Sequence, residues 1–170
     1  MFETLAITSQ QGLIWGLLTL PITAWVMWTD LTDMKIKNQA VLAMLAIFVV
    51  SGFFLLPLED YLWRYAHFAV VLVICFVLSA TIGMGAGDAK YIAAVAPFVA
   101  LDDVSAIALL YAFWAVVLLV GMFIARRIGA VRRAYPDWIW LAEDRKSHVP
   151  FGLALAPTVT SYFAYGATLG

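Results

Sequence analysis

Gly83-Met84-Gly85-Ala86-Gly87-Asp88-Ala89-Lys90 sets three glycines and one aspartate between two apolar runs. A carboxyl at such a junction in hydrocarbon costs about 2.5–3.5 kcal/mol, so an aspartate kept there points first to function. The glycines permit backbone conformations closed to other residues and leave room for a second chain beside the carboxyl. Two readings stand for Asp88: part of a site that admits an extended peptide, or a turn aspartate that caps the next helix.

The flanking runs decide the fold. The chain of 170 residues is 65% hydrophobic and 12% charged, which excludes an ordinary soluble domain. Several runs approach the roughly 20 residues that cross about 30 Å of hydrocarbon as a helix. Their length and continuity favour helices over the short alternating strands of a barrel. The expected fold is all-α: one polytopic membrane domain, residues 1–170, with six transmembrane helices and a cytoplasmic amphipathic segment.

The spans fall at about residues 12–28, 40–56, 65–82, 89–101, 104–124 and 149–169. Pro21 suggests a kink in the first, and Pro157 lies in the last. The fourth run is short, and is either a crossing completed by the glycine segment or a helix that starts beneath the membrane surface at a cavity. Between the last two spans, Ile128, Val131, Tyr135, Trp138, Ile139 and Leu141 recur near helical spacing among basic residues, as in a helix lying in the headgroup layer.

With six crossings, Lys35, Lys37, Lys90, Arg126, Arg127, Arg132, Arg133, Arg145 and Lys146 share one face, against Arg64 alone on the other. That face is expected to be cytoplasmic. The formal charge of −1 gives no sign of a nucleic-acid partner. Cys75 is the only cysteine, so the chain can form neither an internal disulfide nor a cysteine zinc cage, and no metal or cofactor is expected. His67 and His148 read as packing or interfacial residues. The start at Met1-Phe2-Glu3-Thr4 lacks a basic flank and a cleavage site, and is read as mature rather than as a signal peptide.

This topology puts a second acidic segment, Asp30-Leu31-Thr32-Asp33-Met34-Lys35-Ile36-Lys37-Asn38, on the same face as Asp88. Two converging carboxyls can hydrolyse a peptide: one draws a proton from water while the other, kept protonated by its neighbour's charge, serves the carbonyl and the leaving amine. Such a pair titrates as a unit. Alone, Asp30 would read as a surface aspartate at a helix end.

Together these segments resemble the type IV prepilin peptidases, membrane aspartyl proteases with a Gly-x-Gly-Asp motif. Gly85, Gly87 and Asp88, followed by Lys90, match Gly-x-Gly-Asp-x-Lys. Asp30 with Ile36 and Asn38 matches the family's first aspartate and its Ile-Pro-Asn, with Lys37 in place of the proline. Val149-Pro150-Phe151-Gly152 is similar to the Pro-Tyr-Gly that leads into the family's last helix. The resemblance implies Asp30 and Asp88 as the catalytic pair, without assigning the base, and substrate contacts from Gly85, Gly87, Lys90, Ile36, Asn38 and Lys35. It implies a bacterial inner-membrane enzyme, with its site facing the cytoplasm, that cleaves a prepilin or pseudopilin between its basic leader and its apolar helix. The lipid bilayer and pilus-assembly machinery are the other implied partners. The short chain without paired cysteines resembles the peptidase-only form of Flp or Tad systems, lacking the methyltransferase domain.

Asp33, one helical turn from Asp30, reads as a solvated aspartate, and Lys35 and Lys37 either satisfy the positive-inside bias or attract an acidic group on the substrate. Lys90 reads as an anchor that snorkels to phosphate or to a substrate carboxylate. The rivals are another Gly-x-Gly-Asp protease, such as a preflagellin peptidase, and a non-enzymatic transporter or assembly scaffold. Thr29 before Asp30 argues against a presenilin-like enzyme, which has tyrosine there.

Overall fold

The computed structural model describes residues 5–141 and 149–170, so Arg145, Lys146 and His148 lie outside the described residues. Among the described residues seven α-helices follow in order: α1 Ser9–Asp33, α2 Asn38–Leu55, α3 Leu58–Ile82, α4 Ala86–Val95, α5 Val104–Arg127, α6 Gly129–Ala134 and α7 Gly152–Leu169. No strand occurs among the described residues. Backbone groups thereby find partners within their own segments, as hydrocarbon requires.

Among the described residues, four segments are long and apolar enough to cross a membrane: Ser9–Asp33, Asn38–Leu55, Leu58–Thr81 and Leu101–Arg127. The fourth apolar run divides instead, because Pro97 cannot continue an α-helix; α4 ends at Val95 and short 3₁₀ turns cover Ala96–Phe98 and Leu101–Asp103. The last run forms α7, with Pro157 inside it and much of its surface buried by neighbouring helices. The first helix runs unbroken through Pro21 from a capping box in which Thr8 and Gln11 exchange hydrogen bonds.

The core forms where α1 lies along α7. Gly12 permits the closest approach, since a Cβ there would stand 2.4 Å from the Ala167 backbone nitrogen. Trp15, fully buried, packs edge-on against Phe98 at 5.4 Å between ring centres, and its indole N–H donates to Ser51 Oγ on α2 at 3.0 Å. Phe48 from α2 and Phe163 from α7 complete this aromatic cluster. Toward the end of the bundle away from Asp30, the Asp103 carboxylate accepts the Ala6 N–H at 2.8 Å and the Tyr162 hydroxyl at 2.7 Å.

The segment expected to lie in the headgroup layer is α-helical over Gly129–Ala134, with a 3₁₀ turn at Ile139–Leu141. It then turns back: the Trp140 indole donates to the Leu31 carbonyl at 3.1 Å, and Arg126 Nε donates to the Trp140 carbonyl at 2.9 Å. Trp140 and Leu141 are buried, so this stretch packs against the end of α1.

Candidate active site

Asp30 sits in the last turn of α1, which continues past Trp28 to Asp33. Met34 closes that helix in the left-handed conformation, φ 52°, with its N–H donating to the Asp30 carbonyl at 3.0 Å. The Asp30 side chain turns inward: the residue is 4% exposed, which removes the surface reading. Its Oδ2 accepts the Gly152 N–H at 2.7 Å. Gly152 opens α7, so the carboxyl faces the positive end of that helix. Only glycine fits there without displacement, because a Cβ would come 2.8 Å from Asp30 Oδ2 and 2.9 Å from its Cβ and Cγ.

Asp88 arrives from the other direction. Gly83 ends α3 with φ 73°, a conformation that disfavours side chains, and the Ser79 hydroxyl donates to the Met84 carbonyl at 2.7 Å across the turn. Gly85, not Asp88, is the N-cap of α4, and Asp88 stands in the first turn of that helix. Half-buried, the Asp88 carboxyl is pushed up to about 7, first by loss of water and then by the charge of Asp30. The two carboxyls, 58 positions apart in the chain, thus feel one another.

Both line an open cavity of about 430 Å³, whose walls also include Gly85, Gly87, Lys35 and Ile36. Six of the eight residues singled out from sequence therefore meet in one place. The other two, Lys90 and Asn38, are outside its lining and bind one another, Lys90 Nζ donating to Asn38 Oδ1 at 3.3 Å. That bond ties the start of α4 to the start of α2. Asp33 is exposed and forms an ion pair with Lys37 at 2.8 Å. Tyr111 on α5 lies within reach of the Asp88 charge, a neighbour that no local pattern announced. Gly152 was visible only as the end of Val149-Pro150-Phe151-Gly152; nothing local to it identifies its N–H as a partner of Asp30. Among the described residues no three His, Cys, Asp or Glu side chains gather to hold a metal ion.

A family model for type IV leader peptidases matches residues 17–126, a segment that contains both Asp30 and Asp88. The chain belongs to the type IV leader peptidase family. No curated protein and no solved structure gives a significant match. Membership makes this a peptidase acting on prepilin-like substrates in a membrane, and its long apolar helices agree with a multi-pass protein. Within the family match lie the cavity-lining residues Lys35, Ile36, Gly85 and Gly87; Gly152 lies beyond it.

Proposed function

We propose that the protein is an intramembrane aspartic endopeptidase whose catalytic pair is Asp30 and Asp88, and that it removes the leader of Flp/Tad-type prepilins. The observation that carries this reading is the meeting of the two carboxyls on one open cavity, at the end of α1 and the start of α4. One carboxylate takes a proton from water as its oxygen attacks the scissile carbonyl. The protonated partner stabilises the oxygen that gains charge, and a proton then passes to the leaving amine.

In this reading the chain forms one domain of six crossings in the bacterial inner membrane. The basic loops lie in the cytoplasm, and the cavity faces the leader there. Gly85 and Gly87 leave one wall of the cavity low, so that an extended scissile segment can lie against the backbone. Ile36 supports that wall from below. Lys35 is the cavity-lining cation among the described residues and is placed to meet an acidic group of the precursor, whereas Lys90 and Asn38 hold α4 to α2 beside the site.

Purified full-length protein in lipid vesicles, offered a leader-bearing pilin precursor, tests the reading. Wild type and Asp33→Asn cleave it, while Asp30→Asn and Asp88→Asn lose at least a thousandfold in kcat. Equal, residual processing by wild type and Asp88→Asn would favour a scaffold or transporter.

A further inference from the structure

The two carboxyls occupy unlike surroundings. Asp30 Oδ2 accepts a backbone N–H at 2.7 Å at the start of an 18-residue helix. Asp88 lines the cavity from the first turn of its own helix, and among the described residues no backbone N–H donates to its carboxyl. A donor fixed on one oxygen favours the charged form of that carboxyl, and a helix N-terminus acts in the same sense. An acid that must keep its proton needs no such donor.

We propose that Gly152 is a positioning residue whose backbone N–H fixes Asp30 as the carboxylate of the pair and so leaves the shared proton on Asp88. This rests on the catalytic reading of the pair and assigns its two roles. Asp30 takes a proton from water while the water oxygen bonds to the scissile carbon, and Asp88 gives its proton to the carbonyl oxygen. In the second step the C–N bond breaks as Asp30 passes its proton to the amine nitrogen. Asp88 recovers a proton from the diol, and the pair returns to its starting state. The missing Cβ at position 152 serves the same end, since any side chain there meets Asp30 within 3 Å.

Among the described residues, the other ionisable groups around the pair do not replace this device. From the connection after α1, Lys35 lines the cavity; from α5, Tyr111 faces the Asp88 side. On α1, exposed Asp33 is occupied by Lys37, and on α4 Lys90 is bound to Asn38. The nearby lining from the α7 side, Val149 and Phe151, carries no ionisable side chain.

The decisive experiment replaces the Phe151–Gly152 amide by an ester in the full chain, which deletes the N–H and adds no side chain. Protonated-carboxyl infrared bands are titrated in vesicles. In the Asp88→Asn background, where Asp30 remains, the ester raises the midpoint by about one pH unit. In the Asp30→Asn background it leaves the midpoint of Asp88 unmoved. An ester that shifts neither midpoint, or both equally, overturns the proposal. With both aspartates present, the ester moves the acid limb of the kcat/KM profile upward and leaves the alkaline limb in place; the opposite pattern also overturns it. Gly152→Ala, which keeps the N–H but crowds Asp30, lowers kcat at least tenfold with KM within twofold. The titration does not require cleavage, so a wild type that cleaves no precursor would sink the peptidase reading while the midpoints still decide the role of Gly152.

Discussion

The carboxylate of Asp88 folds back over Gly85, and a Cβ built on that glycine would stand 2.6 Å from Asp88 Oδ2. The N-cap of α4 and the acid in its first turn thus share one small space. Because the crowded atom ends a movable side chain, Gly85→Ala turns the carboxyl away rather than unfolding the helix. The expected result is a kcat loss of tenfold or more with little change in thermal midpoint. Gly87→Ala is the control: its Cβ would meet Ile36 at 3.4 Å, an ordinary contact, and its kcat falls less.

The raised Asp88 carboxyl makes both activity and stability depend on pH. An acid whose folded value, about 7, exceeds its unfolded value of 3.8 binds more protons when folded between those limits. Its contribution to stability is therefore greatest below about pH 4 and declines as pH rises toward 7. Cleavage should fall above about pH 7, where both members of the pair become charged. Asp88→Asn, which cannot ionise, should gain thermal stability over wild type at about pH 8 and less at about pH 5. Scanning calorimetry at the two pH values checks the sign.

Among the lysines near the site, Lys37 is paired with Asp33 and Lys90 with Asn38, while Lys35 lines the cavity. Lys35→Gln should raise KM about threefold to tenfold for a precursor with an acidic residue just beyond its cleavage point. It should leave KM unchanged for the same precursor with that residue neutralised. Lys37→Gln should change KM for neither, and should cost no more than about 1 kcal/mol of stability, as exposed ion pairs do. Steady-state kinetics on the two precursors separates these outcomes.

The seam between α1 and α7 should tolerate no added side chain at its tightest point. A Cβ on Gly12 would meet backbone atoms of Gly166 and Ala167 at 2.6 and 2.4 Å, and backbone cannot swing aside. Gly12→Ala should cost about 1–3 kcal/mol, the usual penalty of overpacking. Gly121→Ala, on α5 with nothing near its Cβ position, should be neutral or slightly stabilising through helix propensity. Chemical denaturation in detergent measures both.

Asp30 and Asp88 were legible in the chain itself because acids beside apolar runs are costly and therefore informative. The long spans were equally plain, since hydrophobicity sustained over roughly 20 residues is what a helix needs to cross hydrocarbon and more than a half-buried soluble helix carries. Three features were hidden. The groups that hold the end of α1, the Trp140 indole on the Leu31 carbonyl and the Gly152 N–H on Asp30, come from 109 and 122 positions away. The spacing from Ile128 to Leu141 suits a headgroup helix in part of that stretch; α6 forms over Gly129–Ala134, while the turn of Trp140 back onto Leu31 is a distant contact that spacing does not encode. The Asn38–Lys90 bond joins residues 52 positions apart, and no local pattern encodes such a distance.

Asp30 belongs to a group of helices in which α1 and α5 both pack on α7, whereas Asp88 rides on α4, packed mainly against α3 and α2. Contact between α4 and α7 is slight. The spacing of the acids is therefore a matter of how α4 seats beside the α1–α7 pair, with α2, which touches both α1 and α4, as the spacer between them.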